Sequence, residues 1–311
     1  MKDIMVSILV PTYGHEKYIA EALESILKQK TQYPYEVIVG EDASPDKTRH
    51  ILRQYEEEHP DIFTMVYRDT NLGSAANGQD LLGRASGKYI IILEGDDFWL
   101  AEDKLEKQVT YLEKHPQYVA VAHNCLVVDK TSNPIDESYP ECKDTEYTLR
   151  HFRRNILPGQ TASILYRSIP YRQIAADEIW KQNPLPGDQI VILGAFAKGR
   201  IHCIQEKMSA YRHISSNGTS YSANKRMGFH QKILWWQMAM DFTRRQGNKE
   251  IEIAAEGRYF AILFFDGFLQ KEITISEAYR LYQYIDHKLS VFLIKICDFI
   301  IRKVRSLYGK N

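Results

Sequence analysis

Three carboxylates follow an apolar run in the first third of the chain. Residues 90–93 are Ile-Ile-Ile-Leu, and Glu94, Asp96 and Asp97 come directly after them, with Gly95 inside the cluster. Carboxylates this close repel one another, and burial beside a strand end is costly unless a cation compensates their charge. Mg²⁺ and Mn²⁺ take oxygen ligands and are usually held by one or two protein carboxylates together with substrate phosphates. The spacing therefore predicts a metal-bound nucleotide, and so an enzyme.

The first hundred residues must position this cluster, and they alternate strand and helix signals. Apolar runs predict strands at 6–10, 36–39, 63–67 and 89–93, with helices between them at 19–27, after 44–45, and at 74–82. Repeated β-α-β units predict an α/β fold with a mostly parallel sheet and helices on both faces. Ligands on such sheets bind outside the carboxyl ends of the strands. An isolated Asp-Asp pair is more often a solvated turn, but here Asp42 lies at the same predicted edge.

The pattern beyond residue 105 is less regular. It predicts a helix at 105–115, strands at 118–123, 161–166 and 201–204, and a helix at 188–197 that begins at Asp188. From residue 225 onward the sequence is predicted to be helical, packed through its aromatic residues, Trp235, Trp236, Tyr259, Phe260, Phe264 and Phe265. We expect a catalytic domain at 1–224, made of a nucleotide-binding half (1–100) and an acceptor-binding half (101–224), and a helical C-terminal region at 225–311.

Composition is that of a globular protein with two differently charged halves. The chain has 311 residues, 44% of them hydrophobic, and no net charge. Residues 1–110 carry 12 Lys and Arg against 20 Asp and Glu, which leaves 28 against 20 for the rest, so different partners are expected for the halves. The four cysteines form no C-x-x-C pair, which fits a reduced cytoplasm. The sequence has neither a signal-peptide pattern nor a membrane-spanning apolar run.

Four sequence strings at the predicted strand ends resemble motifs of one enzyme family. They are residues 6–13 (VSILVPTY), residues 39–48 (VGEDASPDKT), Asn71-Leu72-Gly73 followed by Asn77, and residues 94–97 (EGDD). Over about residues 5–215 the chain resembles the family 2 inverting glycosyltransferases. The resemblance implies the GT-A fold, a Rossmann-like nucleotide-diphospho-sugar transferase fold, here with a helical C-terminal extension.

The resemblance implies a nucleotide-diphosphate sugar as the donor. Pro11, Thr12 and Tyr13 would line the base and ribose, and Asp42 would accept a hydrogen bond from the imide of uracil or thymine. Glu41 replaces the first aspartate of the family motif, so the base-binding role falls mainly on Asp42. The donor-side loop and helix would add Asn71, Gly73 and Asn77.

The acidic cluster resembles the D-x-D metal motif of the same family. Glu94 stands in the first position, where aspartate is usual, and Gly95 follows it. Asp96 and Asp97 are therefore expected to make most of the contact with Mg²⁺ or Mn²⁺. The metal would act as a Lewis acid that neutralises charge on the departing nucleoside diphosphate.

A catalytic base is also implied, because an inverting transfer needs a group that takes the proton of the acceptor hydroxyl. The family places an acidic residue at the start of a helix about ninety residues after the metal motif. Asp188 occupies that position, with Gly187 where a glutamate is common. By its residue type alone Asp188 would equally serve as a helix N-cap, and the two roles can coexist.

Residues 208–213 (MSAYRH) resemble a segment that closes over the diphosphate in such enzymes. Arg212 would pair with phosphate oxygens, and His213 would bind phosphate or ligate the metal. An ordinary polar role is the alternative for His213, and simple packing is the alternative for Tyr211.

Function is thus predicted as metal-dependent transfer of a sugar from a UDP- or dTDP-linked donor, with inversion, to a saccharide or lipid-linked saccharide in surface glycan synthesis. A nucleotidyltransferase is disfavoured because residues 11–16 (PTYGHE) contain one glycine and no basic cluster. A catalytically degenerate carbohydrate-binding protein of the same fold is a third possibility, raised by Glu41 and Glu94. No nucleic-acid partner is expected, and the oligomeric state stays open.

The C-terminal segment, residues 288–311, combines many apolar residues with six Lys or Arg and one Asp. That is the composition of a basic amphipathic helix that lies on an anionic membrane surface. The alternative is a terminal helix packed on the preceding helices. A cytoplasmic protein is therefore expected, either free or peripheral on the inner face of the plasma membrane.

Overall fold

The computed structural model describes residues 3–182, 187–214 and 228–296. Within them nine strands form one sheet. The strands are β1 Val6–Thr12, β2 Tyr35–Glu41, β3 Phe63–Tyr67, β4 Tyr89–Ile92, β5 Phe98–Trp99, β6 Tyr118–Val128, β7 Glu146–Tyr147, β8 Leu165–Arg167 and β9 Arg200–Arg212. Their order is β3-β2-β1-β4-β8-β6-β9-β5, and β7 pairs with β9.

The first half of the sheet is parallel, as predicted. Strand β1 pairs in parallel with β2 and with β4, and β2 pairs in parallel with β3. The connecting helices are α1 Ile19–Leu27, α2 Thr48–Glu58, α3 Ser74–Arg84 and, after β5, α4 Lys104–Lys114. Thr12 lies beside Glu41 in the register, and the amide of Gly95 donates to the carbonyl of Pro11 (3.2 Å). The ends of β1, β2 and β4 therefore meet at one edge.

The second half of the sheet is mixed, and here the predicted strands need correction. Residues 161–166 are not one strand, because Thr161–Ser163 form a 3-10 turn in which the amide of Ser163 bonds the carbonyl of Gln160. Strand β8 follows this turn and pairs antiparallel with β4 and β6. Strand β9 extends to Arg212 instead of ending at residue 204, because its distal part pairs with β6 on one side and β5 on the other.

The remaining helices cover this half and share a core with it. They are α5 Leu149–Arg153, α6 Ser168–Ala175, α7 Ile179–Gln182, α8 Asp188–Lys198, α9 Phe229–Gln246, α10 Lys249–Ala261, a π-helical segment Ile262–Phe268, α11 Ile275–Tyr282, and a terminal helix whose described part is 288–296. Trp235 and Trp236 of α9 are buried against Phe152 of α5 and Ile190 of α8. The helical region thus completes the core of the second half.

Two expectations for the C-terminal helices change. Phe264 and Phe265 are 39% and 55% exposed, so they are not core residues, whereas Tyr259 is fully buried. The expected boundary between 224 and 225 lies outside the described residues. No helix in the described ranges combines the length and the apolar character needed to cross a membrane.

Candidate active site

The loop after β1 packs directly against the acidic loop after β4. Thr12 Oγ1 and His15 Nδ1 are hydrogen-bonded at 3.1 Å, and burial lowers the pKa of His15 although Asp96 opposes this shift. A Cβ atom on Gly95 would lie 2.7 Å from both of those atoms. Glycine is therefore needed for the two loops to approach. Tyr13 is 37% exposed and has no side-chain partner within the described part of the chain, so its ring is available to a ligand.

Asp42 organises the donor-side loop. Its two carboxylate oxygens accept hydrogen bonds from the backbone amides of Leu72 and Gly73 at 2.8 and 2.9 Å. The side chain of Asn71 donates to the carbonyl of Asp42 (3.1 Å). Asp42 is 2% exposed, so its observed role is to hold residues 71–73 against β2. The base contact expected of Asp42 stays a prediction.

Glu41 and Asn77 lie beneath the cleft instead of lining it. Glu41 is fully buried and pairs with Arg49 (Nε to Oε2, 2.6 Å), while its other oxygen accepts from the amide of Ser44 (2.6 Å). Asn77 is 1% exposed and donates to the carbonyl of Gly40 (2.9 Å). The structure does not bring these two predicted nucleotide contacts to the surface, because protein partners occupy their polar atoms.

Two acidic side chains of the cluster, Glu94 and Asp96, are half-buried. Neither carboxylate has a hydrogen bond or ion pair to any residue that the structure describes. Burial, together with the charges of Asp96 and Asp188, raises the pKa of Glu94 to about 8. This concentration of unpaired negative charge is the environment that a bound cation would relieve.

Asp97 is arranged quite differently from its neighbours. It is 3% exposed, and its two oxygens accept from the backbone amide of Arg212 (2.7 Å) and from the side-chain amide of Gln160 (2.5 Å). Burial and the charges of Asp96 and Glu94 raise its pKa. The structure therefore ties Asp97 to β9 and to the turn before β8, and does not bring it to the metal position expected from the sequence.

Arg212 also fails to reach the phosphate position expected for it. It is 1% exposed, and its guanidinium stacks over the ring of Tyr18 at 4.5 Å. Nε donates to the carbonyl of Asp96 (2.8 Å), and one terminal nitrogen pairs with Glu21 (2.6 Å). The other terminal nitrogen bonds the carbonyl of Asp129 and the hydroxyl of Ser132, each at 3.0 Å. Arg212 thus holds the backbone of the acidic loop in place through its hydrogen bond to Asp96.

His213 follows the end of β9 and is directed towards a surface carboxylate. Its Nδ1 lies 2.6 Å from an oxygen of Glu137, and its ring stacks beside that of Tyr211. Tyr211 in turn contacts Tyr139 edge-on, with ring centroids 5.3 Å apart. The structure does not group His213 with Glu94 or Asp96, so it provides no metal ligand there.

Asp188 is the first residue of α8. The N-cap is Gly187, and the side chain of Asp188 accepts a hydrogen bond from the amide of Gln189 (2.8 Å), so Asp188 is not the N-cap residue. Its carboxylate is open to solvent, yet the surrounding protein raises its pKa. The charge of Asp188 contributes to the raised pKa values of Glu94 and Tyr139, and of Tyr147 and Tyr166 as well, so its effect is not confined to the acidic loop.

Sequence reasoning missed Trp180, which shapes this site, and did not foresee the partner of Gln160. Gln160 holds Asp97, and Trp180 packs so closely on Gly187 that a Cβ atom there would overlap the indole ring. The indole is anchored by a 2.8 Å bond from Nε1 to the carbonyl of Ile174. Trp180 also lines a cavity of about 380 Å³ with residues of the 72–79 segment. The sequence signal for Trp180 was Gly187, a glycine at a position where the family commonly has a glutamate, because only a glycine leaves room for the indole ring.

A divalent cation fits Glu94 and Asp96 but not the wider set of residues first expected. No group of three or more His, Cys, Asp and Glu side chains in the described ranges is placed to hold a metal by itself. Two unpartnered carboxylates are nevertheless sufficient when substrate phosphates complete the shell. The donor set is all oxygen, as Mg²⁺ and Mn²⁺ prefer.

The sequence model of the family described as glycosyl transferase family 2 matches residues 7–178, more than half of the chain. The chain belongs to glycosyl transferase family 2. This confirms the predicted family and transferase class. The matched region of the family 2 domain includes the acidic cluster and ends before Asp188, so the match itself says nothing of the base.

Relatives of this family 2 chain include proteins from two bacteria. An uncharacterized protein of Mycobacterium tuberculosis is 34% identical over 215 residues, which are 67% of this chain and 58% of the relative. The chain therefore spans less than two thirds of the length of that relative. The Escherichia coli protein named UDP-Glc:alpha-D-GlcNAc-diphosphoundecaprenol beta-1,3-glucosyltransferase is 35% identical over 115 residues, 37% of this chain and 44% of the relative.

A solved structure confirms the GT-A-like fold. TarS of Staphylococcus aureus, residues 1–349 in complex with UDP-GlcNAc, superposes with a TM-score of 0.63. The alignment covers 92% of this chain and 82% of TarS at 17% identity. At that identity the likeness concerns the fold alone, which is a mixed α/β structure with a mostly parallel sheet and C-terminal helices.

Proposed function

We propose that this family 2 chain is a metal-dependent inverting glycosyltransferase. It takes a sugar from a UDP- or dTDP-linked donor and transfers it to a saccharide or lipid-linked saccharide in surface glycan synthesis. One observation carries the proposal: Glu94 and Asp96 follow β4 at the carboxyl ends of the parallel strands, have no hydrogen bond or ion pair to a described residue, and the charge of Asp188 acts on Glu94. The UDP-sugars named for the E. coli relative and for the TarS complex favour a uridine nucleotide.

Within this proposal the donor lies along the edge formed by the ends of β1, β2 and β4. Tyr13 offers an exposed ring to the base, and Asp42 keeps Leu72 and Gly73 in place beside it. A divalent cation held by Glu94 and Asp96 would supply electrostatic stabilisation of the leaving diphosphate. The donor pocket continues along the 72–79 segment.

Asp188 is the proposed base. Its carboxylate takes the proton from the acceptor hydroxyl while that oxygen attacks the anomeric carbon and the bond to the diphosphate oxygen breaks. Its raised pKa makes it a better proton acceptor than an ordinary surface aspartate. Tyr139 lies near Asp188 and Glu94, on the side from which an acceptor would enter.

The experiment is a donor screen with purified protein and Mn²⁺, followed by turnover of the stabilising donor. Binding of a UDP- or dTDP-sugar raises the unfolding temperature by mass action. We expect Asp188→Asn to keep that stabilisation and to lower turnover by about 10²–10⁴-fold. Asp61→Asn, an exposed carboxylate on the far side of β3, is the matched control and should be fully active.

Four outcomes would count against the proposal. Full turnover in Asp188→Asn would refute the base assignment. Turnover that persists after EDTA treatment would refute the metal. Donor binding without any turnover in the wild type would favour the degenerate carbohydrate-binding protein, and ATP- or UTP-dependent synthesis of a nucleotide sugar would favour the nucleotidyltransferase.

The proposed division of labour follows the two halves of the sheet. We assign residues 1–100 to nucleotide binding, 101–224 to acceptor binding and 225–311 to a helical region. Membrane contact through 288–311 is part of the proposal, and residues 297–311 lie outside the described structure. In the described part Val291 is buried, whereas Leu289 and Phe292 are 71% and 54% exposed. Replacing those two by serine should reduce flotation with anionic liposomes, and unchanged flotation would contradict membrane contact.

A further inference from the structure

A second cavity, of about 480 Å³, lies between the catalytic half and the C-terminal helices. We call it the arginine cavity, because Arg150, Arg153 and Arg200 line it. Residues of β7, α5, α8, β9 and α10 form its walls, together with Ile294 of the terminal helix. Its lining includes Phe196, which is eight residues further along α8 than Asp188, or about 12 Å at the helical rise. The described residues that line the arginine cavity include none of the residues of the proposed active site.

Two of the three arginines have no charged partner. Arg200 pairs with Glu146 (Nε to Oε1, 2.8 Å). Arg150 and Arg153, by contrast, make no hydrogen bond or ion pair with any residue in the described ranges, and the Nε atom of Arg153 is buried without an acceptor. A buried donor without an acceptor is unfavourable, and a ligand that supplies acceptor oxygens would remove that cost. Arginine pairs are well suited to phosphate.

The wall opposite the arginines is apolar. Phe196 stacks on Tyr147 with ring centroids 5.4 Å apart, and Ile251, Ile253 and Ile294 continue the same surface. Glu250 is exposed in the first turn of α10. It is the one carboxylate to set beside Arg150 and Arg153, the two arginines without a charged partner in the described ranges, so the described lining of the cavity has a net positive charge. A ligand that fits both walls has an anionic head and an apolar remainder.

We propose that the arginine cavity binds a phosphate ester that carries an apolar chain. Arg150 and Arg153 would bind the phosphate oxygens, and the chain would lie on Phe196, Ile253 and Ile294. Either a lipid-carried substrate or a bilayer phospholipid has this chemistry. The assignment does not rest on the proposed transferase activity, because it concerns a different cavity and its test measures binding.

The test compares three probes on the full chain by isothermal titration calorimetry. The first is n-octyl phosphate below its micelle concentration, the second inorganic phosphate, and the third n-octanol. We expect octyl phosphate to bind at least tenfold more tightly than either partial probe. The double variant Arg150→Gln/Arg153→Gln should bind octyl phosphate at least tenfold more weakly than the wild type. The control Lys28→Gln/Lys114→Gln removes two exposed charges that have no partner in the described ranges, and it should bind octyl phosphate as the wild type does.

A separate variant guards against loss of folding. Ile253→Ser should lower the affinity for octyl phosphate and leave the affinity for inorganic phosphate unchanged. Circular dichroism checks that every variant is folded. Equal octyl phosphate affinity in the wild type and the double arginine variant would overturn the proposal, as would equal affinity for octyl phosphate and octanol.

Vesicles distinguish the two sources of ligand. If the double arginine variant also loses binding to phosphatidic acid vesicles, the cavity takes a bilayer headgroup. If the double arginine variant loses binding to octyl phosphate but still binds the vesicles, the cavity takes a lipid-carried phosphate. Both results support the proposed chemistry.

Discussion

Replacement of Arg212 by methionine separates a structural role from a phosphate-binding role. Methionine keeps most of the aliphatic stem but removes the guanidinium, which is 1% exposed and bonds Glu21, Ser132 and the carbonyls of Asp96 and Asp129. Glu21, the ion-pair partner, is 39% exposed, so the cost comes mainly from the acceptors that lose a charged donor, at about 1–3 kcal/mol each and about 3–5 kcal/mol together. The four hydrogen bonds are part of that cost, because interactions of one side chain are not additive.

The expected shift in unfolding temperature follows from the size of the protein. At about 2 °C per kcal/mol for a chain of this length, Arg212→Met should unfold about 6–10 °C below the wild type. Turnover should fall as well, since Nε of Arg212 holds the backbone of Asp96. Arg84→Met is the matched control, because Arg84 and its partner Asp80 are 47% and 36% exposed. It should unfold within about 2 °C of the wild type.

Differential scanning fluorimetry at a fixed heating rate and donor titrations decide between the two roles. A phosphate-binding Arg212 would leave the unfolding temperature unchanged and raise the donor KM about tenfold or more. That combination would refute the structural argument for Arg212. A lower unfolding temperature with a donor KM near the wild-type value would support it.

Glu94, Asp97 and Gly187 each carry a further prediction. The raised pKa of Glu94 means that the native state holds a proton that the unfolded chain has already lost. In EDTA, stability should therefore fall as pH rises from about 5 to about 8, and Glu94→Gln should flatten this dependence; parallel curves for variant and wild type would contradict it. Asp97→Asn places an amide NH₂ against a donor, either the backbone amide of Arg212 or the side-chain amide of Gln160. The free energy of unfolding, measured in urea, should therefore fall by about 1–3 kcal/mol. An unchanged unfolding midpoint would disprove the buried contacts of Asp97. Gly187→Ala should cost about 1–3 kcal/mol by overlap with the Trp180 ring and almost nothing in a Trp180→Ala background; equal costs in both backgrounds would exclude that contact.

The regular part of the fold was readable from the sequence. Strands β1 to β4 and helices α1 to α3 follow from local patterns, because buried parallel strands are short apolar runs and each connecting helix repeats its apolar residues every three to four positions. The second half was harder to predict. The turn at Thr161–Ser163 and the full length of β9 depend on partners far along the chain, which no local pattern encodes.

The candidate site divides in the same way. The type and order of residues sufficed to predict Glu94, Asp96 and Asp188 at one site, and this grouping stays a prediction. Asp97 and Arg212 carry equally suggestive side chains, but a bond between residues 115 positions apart joins them in the interior. Whether a polar side chain is available to a ligand depends on what else surrounds it, and that information is not local.

The sequence by itself indicated the family, through motifs that resemble it, and predicted the parallel half of the sheet, through short-range apolar periodicity. The residues that follow each strand indicated the edge where we propose the chemistry. The tertiary structure alone decided which charged groups stay free. Glu41, Asp97 and Arg212 are satisfied by protein partners, whereas Glu94 and Asp96 have no hydrogen bond or ion pair to any residue that the structure describes. The physical reason is that a buried polar group is stable only with a hydrogen-bond partner, and only the folded chain determines where those partners lie.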